Sequence, residues 1–265
     1  MKTILANNIS INYRIDLQRD KDPDAPVIML SNSLLSSYAM WDDQIESLTE
    51  YFNVLRYDTR GHGGTDAPSS DYSIDIFVED AVSLLDKLNI DKVHFIGLSM
   101  GGFIGQLFAA KYPERVVSLT LCDTACVMPP ASLWDDRIKK AENSGVESLI
   151  EGTLGRWFTA PFRQTNPKDV QKITEMIRNT GVLGYVNCAK AIRDMDQRHI
   201  LKNINVPTNI IVGDKDPACP VSASETLHSG ISGSHLVILN DAAHLPNIEK
   251  KVEFNSALLH FLKSE

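Results

Sequence analysis

The chain has 265 residues, with 26 Lys+Arg against 34 Asp+Glu, a formal net charge of −8 and a sequence pI near 5.4. So acidic a surface argues against nucleic acid as a partner, because phosphate contacts need basic groups. Hydrophobic residues at 43% and charged residues at 23% argue against disorder and fibrous repeats, and this length buries about three quarters of the unfolded surface in one large α/β unit.

The opening TILANNISINYRI carries two short apolar runs around Asn7-Asn8. Asn tolerates left-handed backbone, so the spacing predicts an antiparallel hairpin at a sheet edge. A buried strand at Val27–Leu30, a helix around Met40–Tyr51 and a strand at Val54–Tyr57 follow. Next comes a helix around Ile76–Leu88, with Phe77, Ala81, Leu84, Leu85 and Leu88 on one face. Strand Val93–Ile96 runs into GLSMGG and an apolar helix that Pro113 ends, and strand Val117–Cys122 closes this half. Such alternation is the pattern of parallel strands joined by crossover helices.

After Pro129-Pro130 the residues read as amphipathic helices at Leu133–Asn143, Val146–Phe158, Pro167–Asn179 and Tyr185–Asp194. Strands return at Asn209–Val212 and Leu236–Leu239, with a last helix at Val252–Leu262. The expected organisation is therefore an α/β core of residues 1–127 and 205–265, with a helical cap, 128–204, inserted into it. No apolar stretch approaches the ~20 residues of a membrane span. Ile4-Leu5-Ala6 is too short for the core of a signal peptide, and Cys122, Cys126, Cys188 and Cys219 form no CxxC pair. These features predict reduced thiols, no metal site and a cytoplasmic location.

Within GLSMGG, residues 97–102, lies GxSxG between a strand and a helix, the setting of a nucleophile elbow that projects Ser99 from the sheet edge. A Gly-rich turn that packs tightly or binds phosphate is the bland alternative, but the Lys of a phosphate loop is missing. A serine nucleophile needs a His base, and that His needs a carboxylate to fix its tautomer. His244, in the DAAHLPN turn after strand Leu236–Leu239, lies at the carboxyl end of a strand, where α/β active sites gather. VGDKDPACP offers Asp216, which can reach across the sheet, and Asp214, which more plausibly caps the turn; Asp123, ending VSLTLCD, is a rival acid. The N–H of Met100 supplies one oxyanion donor, and the loop SNSLLSSYAMWD supplies a second, assigned to Leu34.

GLSMGG, RYDTRGHGGTD at 56–66, GDKDP and the His244 loop resemble the α/β-hydrolase superfamily. LSNSL with MWD, LRYDTRGHG, RWFTAPF at 156–162 and GYVNCAKAIRDMD at 184–196 are similar to 3-oxoadipate enol-lactonases. Two departures stand out: Leu35 occupies the place of a usual Gly after SNSL, and Pro217-Ala218-Cys219-Pro220 follows the acid. The resemblance implies an α/β-hydrolase fold and hydrolysis of a small anionic enol-lactone through a Ser99–His244–Asp216 acyl-enzyme, without metal or organic cofactor. A carboxylate substrate on an acidic protein requires a local positive site. Arg137 with Trp134, one turn apart on a cap helix, and Arg156 with Trp157 are the candidates, Arg137 preferred. A general carboxylesterase, a carbon–carbon bond hydrolase and a ligand receptor of the same fold are the alternatives.

Overall fold

A computed structural model describes residues 2–22, 24–128 and 130–265. Strands β1 (Lys2–Ala6) and β2 (Ile9–Asp16) form the expected hairpin. Asn7 and Asn8 take the positive φ that closes it, 45° and 62°. Strand β3 (Val27–Ser31) leads through a 3₁₀ turn, Tyr38–Trp41, into α1 (Asp42–Leu48), and β4 (Asn53–Tyr57) follows. Helix α2 (Ile74–Lys87) begins two residues before its expected start, because the Ser73 side chain accepts from the Ile76 N–H and caps it. Strand β5 (Val93–Leu98), helix α3 (Met100–Lys111) and strand β6 (Val116–Cys122) complete the first half.

Five helices then precede the next strand: α4 (Ala131–Ser144), α5 (Ile150–Trp157), α6 (Ala160–Thr165), α7 (Pro167–Arg178) and α8 (Val182–Asp194). The single helix expected over Val146–Phe158 is a 3₁₀ turn, Val146–Leu149, running into α5. Helix α6 escaped the sequence pattern because it has only two turns and starts on a Thr159 cap followed by Ala160-Pro161. Strand β7 (Thr208–Gly213), α9 (Val221–Gly230), β8 (His235–Leu239), α10 (Pro246–Glu249) and α11 (Lys251–Leu262) end the chain. The strands form one sheet in the order β1-β2-β4-β3-β5-β6-β7-β8. Its first two pairings are antiparallel and the rest parallel. None of the described helices is long and apolar enough to cross a membrane.

Strand order reverses between β3 and β5, so the crossovers on either side diverge and leave a crevice at their carboxyl ends. The loop after β3 and the elbow after β5 both open into it. Above, α8 touches the core through two glycines: a Cβ on Gly184 would stand 2.1 Å from the Gly61 carbonyl oxygen. Beside them Arg60 and Asp80 form a buried two-point ion pair, at 2.6 and 2.8 Å, that anchors the 58–66 loop on α2.

Two imidazoles buried in this frame make it acid-sensitive. Burial pushes His62 and His94 down to about 4. Between pH 6.5 and about 4 the unfolded chain takes up protons that the folded imidazoles refuse, so their contribution is complete above 6.5 and vanishes as pH falls through 4. Each is worth up to ~3 kcal/mol at neutral pH. His94→Gln, which keeps a partner for the Ser118 hydroxyl now 2.8 Å from Nδ1, should flatten that acid loss of stability. Denaturant titrations across pH 4–7 check it, and unchanged slopes would show His94 protonated in the fold.

Candidate active site

Ser99 stands between β5 and α3 with φ 54° and ψ −111°, a strained conformation that lifts its side chain out of the strand-to-helix line. Glycines make room around it. A Cβ at Gly97 would meet the Gly101 carbonyl oxygen at 2.1 Å, and one at Gly101 would meet that of Ser31 at 2.2 Å. Backbone bonds tie the elbow to both neighbouring strands: Ser99 N–H donates to Cys122 O at 2.9 Å, and Gly101 N–H to Asn32 O at 3.0 Å.

His244 is 3% exposed, and its Nδ1 lies 2.7 Å from Asp216 Oδ2. With Nδ1 committed to the acid, Nε2 is the nitrogen left for a serine proton. Asp216 Oδ1 accepts the Ala218 N–H at 2.7 Å, so the unusual Pro217-Ala218-Cys219 stretch steadies this carboxylate. Of the rival carboxylates, Asp214 pairs with Lys215 at 2.7 Å and faces the backbone N–H groups of Asp241 and Ala242, as a turn cap does. Asp123 accepts the Gly213 N–H at 3.0 Å behind Asp216. The Cys219 thiol lies beside Asp216 and His244, where burial and then the Asp216 carboxylate push it up, keeping it a protonated thiol.

Asn32 is a brace: its amide donates to Tyr57 O at 2.8 Å and its carbonyl accepts from Trp41 Nε1 at 3.1 Å. Ser31 likewise turns to the Tyr57 hydroxyl. Leu34, like Ser99, faces the cleft. Met100 N–H, first in α3, has no intrahelical acceptor and lies at the positive end of the helix. Leu35 is fully buried with φ 66°. Holding a leucine there costs ~1–2 kcal/mol, and the glycine expected at this place carries no such strain. Its N–H donates to His62 Nε2 at 2.9 Å, while His62 Nδ1 lies 3.3 Å from Arg60 O. That neutral tautomer of His62 therefore fixes the loop, a role the sequence reading did not assign.

Both arginine–tryptophan pairs reach the same cavity. Ser33, Leu34, Leu35, Ser99, Trp134, Arg137, Arg156 and Trp157 line a space of about 40 Å³, room for a few waters. Grooves of about 770 and 1050 Å³ lie elsewhere, and Ser99 lines neither. The Arg137 guanidinium sits 4.6 Å from the Trp134 ring centre, and its Nε is buried without a hydrogen-bond partner. Burial and then the charge of Arg137 push Arg156 down to about 10. Among the described residues neither arginine pairs with a carboxylate. Trp157 stacks on His244, ring centres 6.3 Å apart, and its carbonyl accepts the Leu245 N–H at 3.1 Å. Glu249, also unread in the sequence, joins the start of α6 to the loop after β8, accepting from the Thr159 N–H and hydroxyl and from Ala243 N–H.

The chain belongs to the alpha/beta hydrolase fold family, which matches residues 26–251. It is 33% identical over 261 residues to 3-oxoadipate enol-lactonase 2 of Acinetobacter baylyi, covering 98% of this chain and 96% of that one. The crystal structure of the enol-lactonase from Burkholderia xenovorans superposes with a TM-score of 0.96 at 36% identity, covering 99% of this chain and all of the other. RutD of Agrobacterium fabrum, named for carbamate hydrolysis, is 31% identical over 250 residues, 91% of this chain and 94% of its own.

Proposed function

We propose that the protein hydrolyses the enol-lactone of 3-oxoadipate, with Ser99 as nucleophile, His244 as base and Asp216 as its orienting acid. The observation that carries this reading is a pair of arginines that, among the described residues, have no carboxylate partner, in the cavity that holds Ser99. An acidic protein has little reason to hold two half-buried cations together unless an anion joins them. His244 takes the Ser99 proton as Oγ attacks the lactone carbonyl, and the Met100 and Leu34 N–H groups receive the oxyanion. The ring oxygen leaves as an enolate, remains in the same molecule and takes up the proton held by His244 as it becomes the ketone, which returns His244 to the neutral base. Water deprotonated by His244 then releases the acyl group. Arg137 and Arg156 hold the acetate side chain and Trp134 and Trp157 cover the ring. The core–cap division at residues 128–204 fits this use, with the nucleophile below and the anion site above.

A charge-selective comparison tests it. Arg137→Ala and Arg156→Ala should each raise KM for the enol-lactone about tenfold or more and leave a neutral p-nitrophenyl ester nearly untouched. Equal losses on both substrates, or better turnover of the simple ester by the unaltered protein, would replace the lactonase with a general esterase. Turnover of a carbamate instead would favour the chemistry for which RutD is named.

A further inference from the structure

Next to the proposed acid lies a buried carboxyl group that the mechanism does not use. Asp123, fully buried at the end of β6 with φ 43°, packs across Gly213 from Asp216, which is 4% exposed and donates its N–H to the Gly213 carbonyl at 3.2 Å. Its Oδ1 accepts the Gly213 N–H at 3.0 Å, and its Oδ2 is buried with no partner. The two oxygens of Asp216 each already accept one N–H, from Ala218 and from His244, so Asp216 is the group arranged as an anion. Two ionised carboxylates side by side without water would repel strongly, and one of such a pair retains a proton. A carboxylate oxygen has lone pairs to spare for a further donor.

We propose that Asp123 is a positioning residue for the reaction: a neutral carboxylic acid whose Oδ2–H donates to the Asp216 carboxylate and steadies it beneath His244. The proton stays on Asp123 throughout and no bond is made or broken. The surroundings agree with this assignment. Burial first, then the negative charge of Asp216, push the Asp123 carboxyl well above the usual carboxylate range, against the Gly213 N–H, and Glu249 adds further negative charge. The other titratable groups around it are the Cys122 and Cys219 thiols, both pushed up by burial, and His244 across Asp216. None is a permanent cation able to compensate a second anion.

This inference rests on the reading of Asp216 and His244 as acid and base, and its test separates the two. Asp123→Asn reproduces the neutral acid, with an amide N–H for Asp216 and a carbonyl for Gly213 N–H. Its kcat/KM on a p-nitrophenyl ester should stay within about threefold, and the acid limb of its pH profile should not move. Asp123→Ala removes the donor and should lower kcat about 10- to 100-fold with KM unchanged. In difference infrared spectra at neutral pH, the protonated-carboxyl band present in the unaltered protein should be missing from Asp123→Asn. That band reads the proton whether or not Ser99 performs the chemistry. Its absence from the unaltered protein, an acid limb shifted to lower pH in Asp123→Asn, or full activity in Asp123→Ala would each overturn the proposal.

Discussion

Replacement of Ser99 by Ala is expected to abolish hydrolysis of the enol-lactone, with kcat reduced about 10⁴-fold or more, in a protein that still folds. Residual turnover would come only from the oxyanion donors and substrate binding. Ser99→Gly sharpens the expectation, because it separates chemistry from conformation. Ser99 holds φ at 54°, where any residue with a Cβ is strained by about 1–3 kcal/mol. Glycine takes this backbone freely, so the Gly variant should be as inactive as the Ala variant yet more stable by about 1 kcal/mol. Denaturant unfolding beside stopped-flow assays would check both halves. Retention of lactone hydrolysis by either variant would remove Ser99 from the mechanism. Negligible turnover by the unaltered protein, with ligand binding preserved in Ser99→Ala, would instead favour a receptor.

Gly101→Ala is expected to damage stability and catalysis together. The added Cβ would lie 2.2 Å from the Ser31 carbonyl oxygen, and both partners are backbone, so no side chain can swing away. Relief requires α3 to withdraw from β3, breaking the 3.0 Å bond from Gly101 N–H to Asn32 O. Overpacking of this kind costs roughly 1–3 kcal/mol or more. The same movement separates the Met100 and Leu34 N–H groups, and loss of one oxyanion donor lowers kcat about 10²- to 10³-fold. Measured kcat and the denaturation midpoint should fall together; a stable variant of normal kcat would show that the elbow can shift without consequence.

The legible parts of the site are those written in contiguous residues. GLSMGG between a strand and a helix announces the elbow, and a His or Asp in the loop directly after a strand is placed by the α/β architecture itself. Trp134 and Arg137, three apart on one helix, announce their own contact. What remained hidden depends on approach between distant segments. His62 meets Leu35 across 27 residues, Gly213 meets Asp123 across 90, and Glu249 meets Thr159 across 90. No periodicity encodes such distances. Asp123 was visible as a rival to Asp216, but that the two stand together is a consequence of β6 and β7 being neighbours in the sheet. The positive φ of Leu35 was equally invisible, because a leucine carries none of the signals by which glycine or asparagine marks a turn.

The paired glycines where α8 meets the core set a limit on how this protein can be recombined. Gly61 and Gly184 approach so closely that a methyl group on either would press into the other's backbone. A chimera that carries the helical segment of a relative therefore needs a residue without a side chain at both positions, whatever the rest of the graft contains. Exchange of that segment is thus a two-site problem, and the tolerance of the joint is smaller than one carbon atom.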